Sequence, residues 1–283
     1  MRILLVGGNS ALARAVAPKL GAFSELMTAG RSGCDFELDL SWSAECIELP
    51  DNLDWVINFS AQFGGIEFAD LLAVEEVNVL GSLKLAHACS RAQVGNFLQV
   101  SSILGQLTKE SPFYSPYAIS KRHAEELLDY YCTKREVALT VLRPSRIYGE
   151  GDSFRKHQPF LYDVLDKVQR GDHIVLHGEN DSLRNFIHVD DVSEVITRVI
   201  GQGVEGFYDC ANLSNIRLSE IVSFAIEAFG SNSEVSFDEA KPDIPDNAFE
   251  CDDTLYDLID FHPKITIQEG FRREALLRNL AAG

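Results

Sequence analysis

Short apolar runs that end in glycine or polar turns alternate along most of this 283-residue chain with stretches whose apolar residues recur every three or four positions. The first run, Arg2-Ile-Leu-Leu-Val6, stops at Gly7-Gly8-Asn9-Ser10-Ala11-Leu12-Ala13, after which Ala15, Val16 and Leu20 keep helical spacing. Glu25–Ala29 reads as a second strand ending at Gly30-Arg31-Ser32, Asp39-Leu40 closes a short third, and Asp54–Asn58 is the fourth. A helix is predicted from about Glu75 to Arg91, then a strand Asn96–Val100 leading into Ser101-Ser102. A further helix opens at Tyr117 and continues through Ala124, Leu127, Leu128 and Tyr131. Strands that alternate with helices predict an α/β fold around a parallel sheet.

The pattern changes after Tyr148-Gly149. Glu150 to Arg170 is polar and then helical, Gly171–Gly178 reads as a short strand with a turn, Gly206–Cys210 as a return to the sheet, and Ser219–Phe229 as a helix with Ile221, Val222, Ala225 and Phe229 inward. The expected organisation is a doubly wound domain over 1–149 plus about 186–211, and a smaller substrate-binding α/β domain over about 150–185 plus 212–283.

Tyr117 and Lys121 are one helical turn apart and face the same way. Beside an oxidised nicotinamide, two positive charges would favour the ionised phenol. Moving a tyrosine from about 10 to near 7 requires roughly 4 kcal/mol, and two cations at about 5 Å in an effective dielectric of about 20 supply roughly 3 kcal/mol each. The lysine is therefore expected to lower the Tyr117 pKa. A packed Tyr beside a solvated Lys gives the same spacing, so the pair takes its meaning from what surrounds it.

In a strand–turn–helix context, the N–H groups of a glycine-rich turn and the helix N-terminus point at a pyrophosphate. Gly7, Asn9, Ser10, Ala11 and Leu12 are the candidate contacts. The second strand has no acidic residue at its tip to accept ribose hydroxyls; Arg31 stands there with Ser32, and a guanidinium grips a 2′-phosphate. This favours NADP(H), with NAD(H) as the alternative, and a solvated Arg31 as the plain reading.

These turns, Phe59-Ser60-Ala61, Asn78-Val-Leu-Gly81, Ser101-Ser102, Pro116-Tyr117-Ala-Ile-Ser-Lys121, Leu142-Arg-Pro-Ser-Arg-Ile-Tyr-Gly149, Arg184-Asn-Phe-Ile-His-Val-Asp-Asp191 and the Pro263–Gly270 segment come in one order. In that order the chain resembles, over roughly its whole length, an extended short-chain dehydrogenase/reductase of the NAD(P)-dependent sugar epimerase/dehydratase family. The resemblance implies that Ser102, with Ser101 as fallback, hydrogen-bonds the reacting oxygen. It makes Tyr117 the proton donor or acceptor, and Lys121 the group that tunes the tyrosine and holds the nicotinamide ribose. It places Asp39 and Leu40 at the adenine edge, and Phe59, Ser60 and Ala61 under the nicotinamide-side ribose. Asn78 is implied near the site, or as a helix-interior Asn satisfying backbone groups. Of the family's Gly-x-x-Gly-x-x-Gly turn only Gly7 is kept; Ser10 and Ala13 replace the other two. Ser10 carries a Cβ that disfavours positive φ, so a displaced turn is expected.

For the substrate, the resemblance implies that Arg184 approaches a diphosphate, against the alternative that it pairs with Asp190 or Asp191. Arg155 and His157 reach a sugar or remain loop residues. Sugar 4,6-dehydratases of this kind carry an Asp-Glu pair just after the active-site hydroxyl, and enzymes that epimerise C3 and C5 carry a Cys; Ile103 and Leu104 stand here. Ser102 and Tyr117 are fifteen residues apart, shorter than is usual in the sugar-nucleotide branch. Plain hydride chemistry is what this leaves.

Formal charge is −18, with 25 Lys and Arg against 43 Asp and Glu. A nucleic-acid partner is disfavoured, because it requires a basic face. Any phosphate-bearing ligand then depends on local cations: Arg31, Arg143, Arg146, Arg155, Lys156 and Arg184. The six cysteines, 34, 46, 89, 132, 210 and 251, show no Cys-x-x-Cys pair, so free buried thiols are expected and neither disulfides nor a metal site. With no long apolar segment and no basic, apolar leader, no membrane association is expected and a cytoplasmic location is. The leading expectation is an NADP(H)-dependent reductase of a nucleotide-linked 4-keto-6-deoxy hexose. The alternatives are a C4 epimerase holding NAD tightly, a reductase of a small non-sugar carbonyl, and a non-catalytic NADP-sensing protein. The resemblance also implies a homodimer through a four-helix bundle formed by about 75–91 and 117–133, where Leu83, Leu127 and Tyr130 serve equally as core.

Overall fold

The structure, a computed structural model, describes residues 1–250 and 252–282. The chain divides into two compact units, Met1–Pro144 with Ser193–Cys210, and Ser145–Val192 with the chain from Ala211 onward.

The first unit is built on β1 (Arg2–Val6), β2 (Glu25–Gly30), β3 (Phe36–Glu37), β4 (Trp55–Asn58), β5 (Asn96–Val100), β6 (Ala138–Pro144) and the strand Gly206–Cys210. All pair in parallel, in the spatial order Gly206–Cys210, β6, β5, β4, β1, β2, β3. Every residue of β4 is buried, and so are Ile3 to Val6, as expected of central parallel strands covered on both faces. The order reverses between β1 and β4, the crevice where open α/β sheets take ligands. Asp39-Leu40 lies beyond β3 rather than in it.

Helix α1 (Ala11–Gly21) follows β1. The segment before β5 is one continuous helical rod in three parts: α2 (Phe68–Val74), a π-helical stretch Glu75–Leu80, and α3 (Gly81–Arg91). The rod starts earlier than its apolar spacing suggests, and the π-turn was not legible in that spacing. After β5, α4 (Pro116–Arg135) has Ser115 as its N-cap, whose Oγ accepts from the Ala118 N–H at 3.3 Å, and Pro116 at its first position. It buries Ala118, Lys121, Ala124, Glu125, Leu128 and Cys132, a 3.6-residue stripe that includes two charges.

The second unit packs helices Pro159–Arg170 and Leu218–Phe229 together, and Leu218–Phe229 against Ile267–Ala282, around Tyr162, Tyr256 and Phe271. It carries three strand pairs: Arg146–Tyr148 with Phe186–His188, Leu183–Arg184 with Ile216–Arg217, and Ile174–His177 with Val235–Asp238. Asp191, 3% exposed, accepts from the Lys264 and Ile265 N–H groups at 3.1 and 2.9 Å and so pins the Pro263 segment. Of the cysteines, 89, 132 and 210 are buried; Cys46 is exposed and Cys34 half-buried, which corrects the expectation of burial throughout. Cys251 lies outside the described residues.

Candidate active site

The C-terminal ends of β1, β4 and β5 bring the first group of expected residues together. Gly7 takes φ +76, and a Cβ there would lie 2.8 Å from Ser60 Oγ and 2.9 Å from Ser60 N, so only glycine permits this turn to approach the β4 loop. Ser10 sits at φ −66 as the N-cap of α1, its Oγ accepting from the Ala13 N–H at 3.2 Å. The positive φ falls on Gly7, so the Cβ of Ser10 costs nothing and the turn is not displaced on its account. Ala13 is fully buried. The opening N–H groups of α1 have no carbonyl partner within the helix. Asn9 Nδ2 donates to the Ser32 carbonyl at 2.5 Å, tying the turn to the tip of β2. Arg31 is exposed there and, among the described residues, has no hydrogen bond or ion pair.

Asp39 Oδ1 accepts from the Ser41 N–H at 2.9 Å, and Leu40 is buried against Gly81, where a Cβ would lie 2.7 Å from its own. Phe59 is buried and the Ser60 N–H donates to Asn58 Oδ1 at 3.0 Å, with Ala61 following half-buried. A nicotinamide dinucleotide fits this edge: a tight glycine turn, a helix N-terminus and a small-residue loop side by side.

Tyr117, on the first turn of α4, hydrogen-bonds Ser102, and Lys121 Nζ lies 5.6 Å from its ring centre. Ser102 Oγ also accepts from the Leu104 N–H at 3.3 Å, which fixes its rotamer at the end of β5. Ser101 faces elsewhere, donating to Glu125 Oε1, so Ser102 is the hydroxyl set against the phenol. Burial pushes Tyr117 up to about 12, partly offset by the Ser102 hydrogen bond. Burial also pulls Lys121 down to about 8, opposed by Glu125. Without a dinucleotide the protein therefore holds Tyr117 protonated, since burial disfavours the charged phenolate.

Asn78 sits in the π-turn, where the wider coil turns its side chain inward; such turns recur at functional sites. Its Oδ1 accepts from the Gln62 N–H at 2.7 Å, and its Nδ2 donates to the Gln62 carbonyl and to Ser120 Oγ, both at 2.9 Å. Ser120 in turn donates to the Tyr117 carbonyl at 2.9 Å. Asn78 thus supports the start of α4. Phe63, which the sequence did not single out, stacks on the Tyr117 ring at 4.8 Å and 18° while remaining half-exposed.

In the second unit, Arg146 and Arg184 are neighbours. Arg146 is pulled down to about 10 by burial and by Arg184, and its Nε is buried without a hydrogen-bond partner among the described residues. Arg184, 9% exposed, donates from Nη1 to the Leu183 and Pro245 carbonyls at 2.7 and 2.9 Å and to Ser182 Oγ. Asp191 is engaged with the Pro263 segment and Asp190 with Arg273 at 3.2 Å, while carbonyls and Ser182 hold Arg184. Arg155 is held by Asp152 and Asp166 at 2.7 and 2.6 Å, which raise its pKa further, and His157 is exposed. Arg143, a candidate phosphate ligand by charge, is instead clamped by Glu125 and Asp209. Lys156 is exposed.

The model of the NAD dependent epimerase/dehydratase family matches residues 3–210. The chain belongs to that family. Its relatives include CDP-abequose synthase of Salmonella typhimurium, 28% identical over 148 residues, 52% of this chain and 48% of that one. Another is dTDP-4-dehydro-6-deoxy-D-allose reductase of a Streptomyces species, 23% identical over 150 residues, 52% and 46% of the two chains. Others are named as dTDP-D-glucose 4,6-dehydratases. Its matches with CDP-abequose synthase and the allose reductase span about half the length of those proteins. UDP-glucose 4-epimerase of Thermotoga maritima, solved with UDP-glucose, shares the fold with a TM-score of 0.81 at 19% identity, over 100% of both chains. Other solved neighbours carry NAD or NADPH.

Proposed function

We propose that this protein is an NADP(H)-dependent reductase of the keto group of a nucleotide-linked 4-keto-6-deoxy hexose. The observation that carries the reading is the Ser102–Tyr117–Lys121 set flanked by apolar Ile103 and Leu104, with Ile103 only 1% exposed. Dehydration and C3/C5 epimerisation need a further acid or base beside the reacting hydroxyl; reduction needs one proton donor and one orienting donor. Bound NADPH supplies a hydride to the carbonyl carbon. Tyr117, held protonated, gives its proton to the oxygen on which charge develops, while Ser102 orients that oxygen. Lys121 stands at the phenol as the nearby cation when protonated.

Arg31 supports NADP(H) over NAD(H), being exposed and, among the described residues, unengaged where a 2′-phosphate would be gripped. Arg146 and Arg184 support a diphosphate-bearing substrate: two neighbouring arginines, one with a buried unpartnered N–H, suit a ligand with two negative phosphoryl groups. The helical rod before β5 and α4 leave Leu80, Leu127 and Tyr130 exposed, which supports self-association through these helices. Among the described residues no helix is long and apolar enough to cross a membrane.

The test is hydride turnover with NADPH and then NADH on a panel of nucleotide 4-keto-6-deoxyhexoses, with Tyr117→Phe as control. NADPH oxidation that the Phe variant abolishes is expected. Interconversion of intact nucleotide sugars without net NADPH consumption would replace the reading with a C4 epimerase.

A further inference from the structure

Helix α4 meets the end of β5 on three successive turns. Tyr117 hydrogen-bonds Ser102, Lys121 Nζ donates to the Val100 carbonyl at 3.0 Å, and Glu125 accepts from Ser101 Oγ. Three residues spaced by four thus hold three consecutive residues of the strand end. Glu125 is 7% exposed and Lys121 2%, so two opposite charges are buried one turn apart.

From β6, Arg143 donates through Nε and Nη2 to Glu125 Oε2 at 2.9 and 2.7 Å, leaving Oε1 to Ser101. Arg143 also reaches Asp209 on the Gly206–Cys210 strand at 3.6 Å, and Gln106 donates to that Asp at 2.9 Å. The remaining charges on elements packed against α4 pair elsewhere. Glu75 of the π-turn meets His123 at 3.4 Å, Glu76 meets Lys84 of α3, and His87 meets Tyr131 at 2.6 Å. Asp70 of α2 lies beside Gly65.

We infer that Glu125 is the positioning residue of the Tyr117–Lys121 pair: its carboxylate keeps Lys121 charged and fixes the Ser101–Ser102 turn against the phenol. The role rests on the proposed reading of Tyr117 and Lys121 as the catalytic pair. A buried ammonium loses its proton unless an opposite charge is near. Glu125 is the carboxylate that acts on Lys121, and Arg143, hydrogen-bonded to Glu125 Oε2, competes for it.

The experiment is an NMR titration of protein labelled at lysine Nζ, with the Lys121 signal assigned by Lys121→Arg, on the chain without substrate. Glu125→Gln keeps shape and removes charge; it should lower the Lys121 midpoint by about one pH unit or more. Glu125→Asp keeps the charge and should restore most of the midpoint. Arg143→Gln removes the competing cation and should move the midpoint upward, which decides the matter if the Glu125→Gln variant does not fold. A midpoint unmoved in Glu125→Gln, or unmoved or lowered in Arg143→Gln, overturns the inference. In a protein that turns over substrate, the alkaline limb of kcat/KM should move with the NMR midpoint. A moving midpoint without any hydride turnover would instead leave the coupling of Glu125 to Lys121 standing and refute the proposed function.

Discussion

Lys121 should reduce the stability of the protein at neutral pH, and Lys121→Met measures by how much. Its pKa of about 8 compares with an ordinary 10.5. A depressed folded-state pKa means that the unfolded chain binds the extra proton between those values, so stability rises with pH from 8 to 10.5 and the penalty is complete once the pH falls below 8. About two and a half units at about 1.4 kcal/mol each make roughly 3 kcal/mol against folding at pH 7. Methionine removes that cost but leaves the Val100 carbonyl without its donor, a loss of about 1–3 kcal/mol. The variant should therefore match or exceed the wild type at pH 7 by up to about 2 kcal/mol. Its advantage should shrink by more than about 2 kcal/mol by pH 10, because the wild-type lysine is by then neutral when folded. Urea melts at pH 7 and pH 10, with equal m-values required, read both numbers. A stability difference that stays constant between the two pH values would refute the claim that Lys121 is buried as a desolvated cation. Hydride turnover should be lost in the same variant, a trade of stability for chemistry.

Gly7→Ala should cost about 1–2 kcal/mol for the left-handed backbone alone and more for the approach to Ser60, visible in calorimetry together with weakened dinucleotide binding by fluorescence titration. Arg31→Ala should weaken NADPH by about tenfold or more while leaving NADH nearly unchanged, as a charge-assisted contact of about 1.5–3 kcal/mol is removed; equal losses for both would place the guanidinium away from the 2′-position. Ser102→Ala should lower kcat by about 100-fold or more, the usual effect of deleting one donor to a developing oxyanion; Ser101→Ala, whose hydroxyl faces Glu125, should lose much less in the same assay.

The central sheet was legible because buried parallel strands leave near-continuous apolar runs, as in Ile3–Val6 and Trp55–Asn58. Tyr117 and Lys121 were legible because helical periodicity places them on one face. The Glu125–Arg143 pair was not: Arg143 reads in sequence as a cation for a phosphate-bearing ligand, Glu125 is not singled out, and only the packing of α4 on β6 buries them together. The π-turn at Asn78 leaves no periodic trace beyond an Asn inside a helix, a residue that favours competing side-chain hydrogen bonds. The burial that raises Tyr117 in the chain without a dinucleotide leaves no mark in the sequence, because charge counting omits the water that folding removes. Arg184 was read against the nearest acids in sequence, whereas the Pro245 carbonyl that holds it comes from a distant segment.

The strand Gly206–Cys210 closes the outer side of β6, yet it is separated from β6 by all of Ser145–Val192 and a helix. During synthesis, therefore, the Thr140 to Pro144 edge must emerge and wait, its backbone groups unpaired, while about sixty further residues are made. Nascent chains arrested shortly before residue 206 should be sticky and protease-sensitive at this edge, and those released a little beyond residue 210 should not. The Ser145–Val192 segment between the two parts of the first unit makes that interval a fixed hazard of production, one that a circular permutant opened within this segment would remove, because Gly206–Cys210 would then be made before β6.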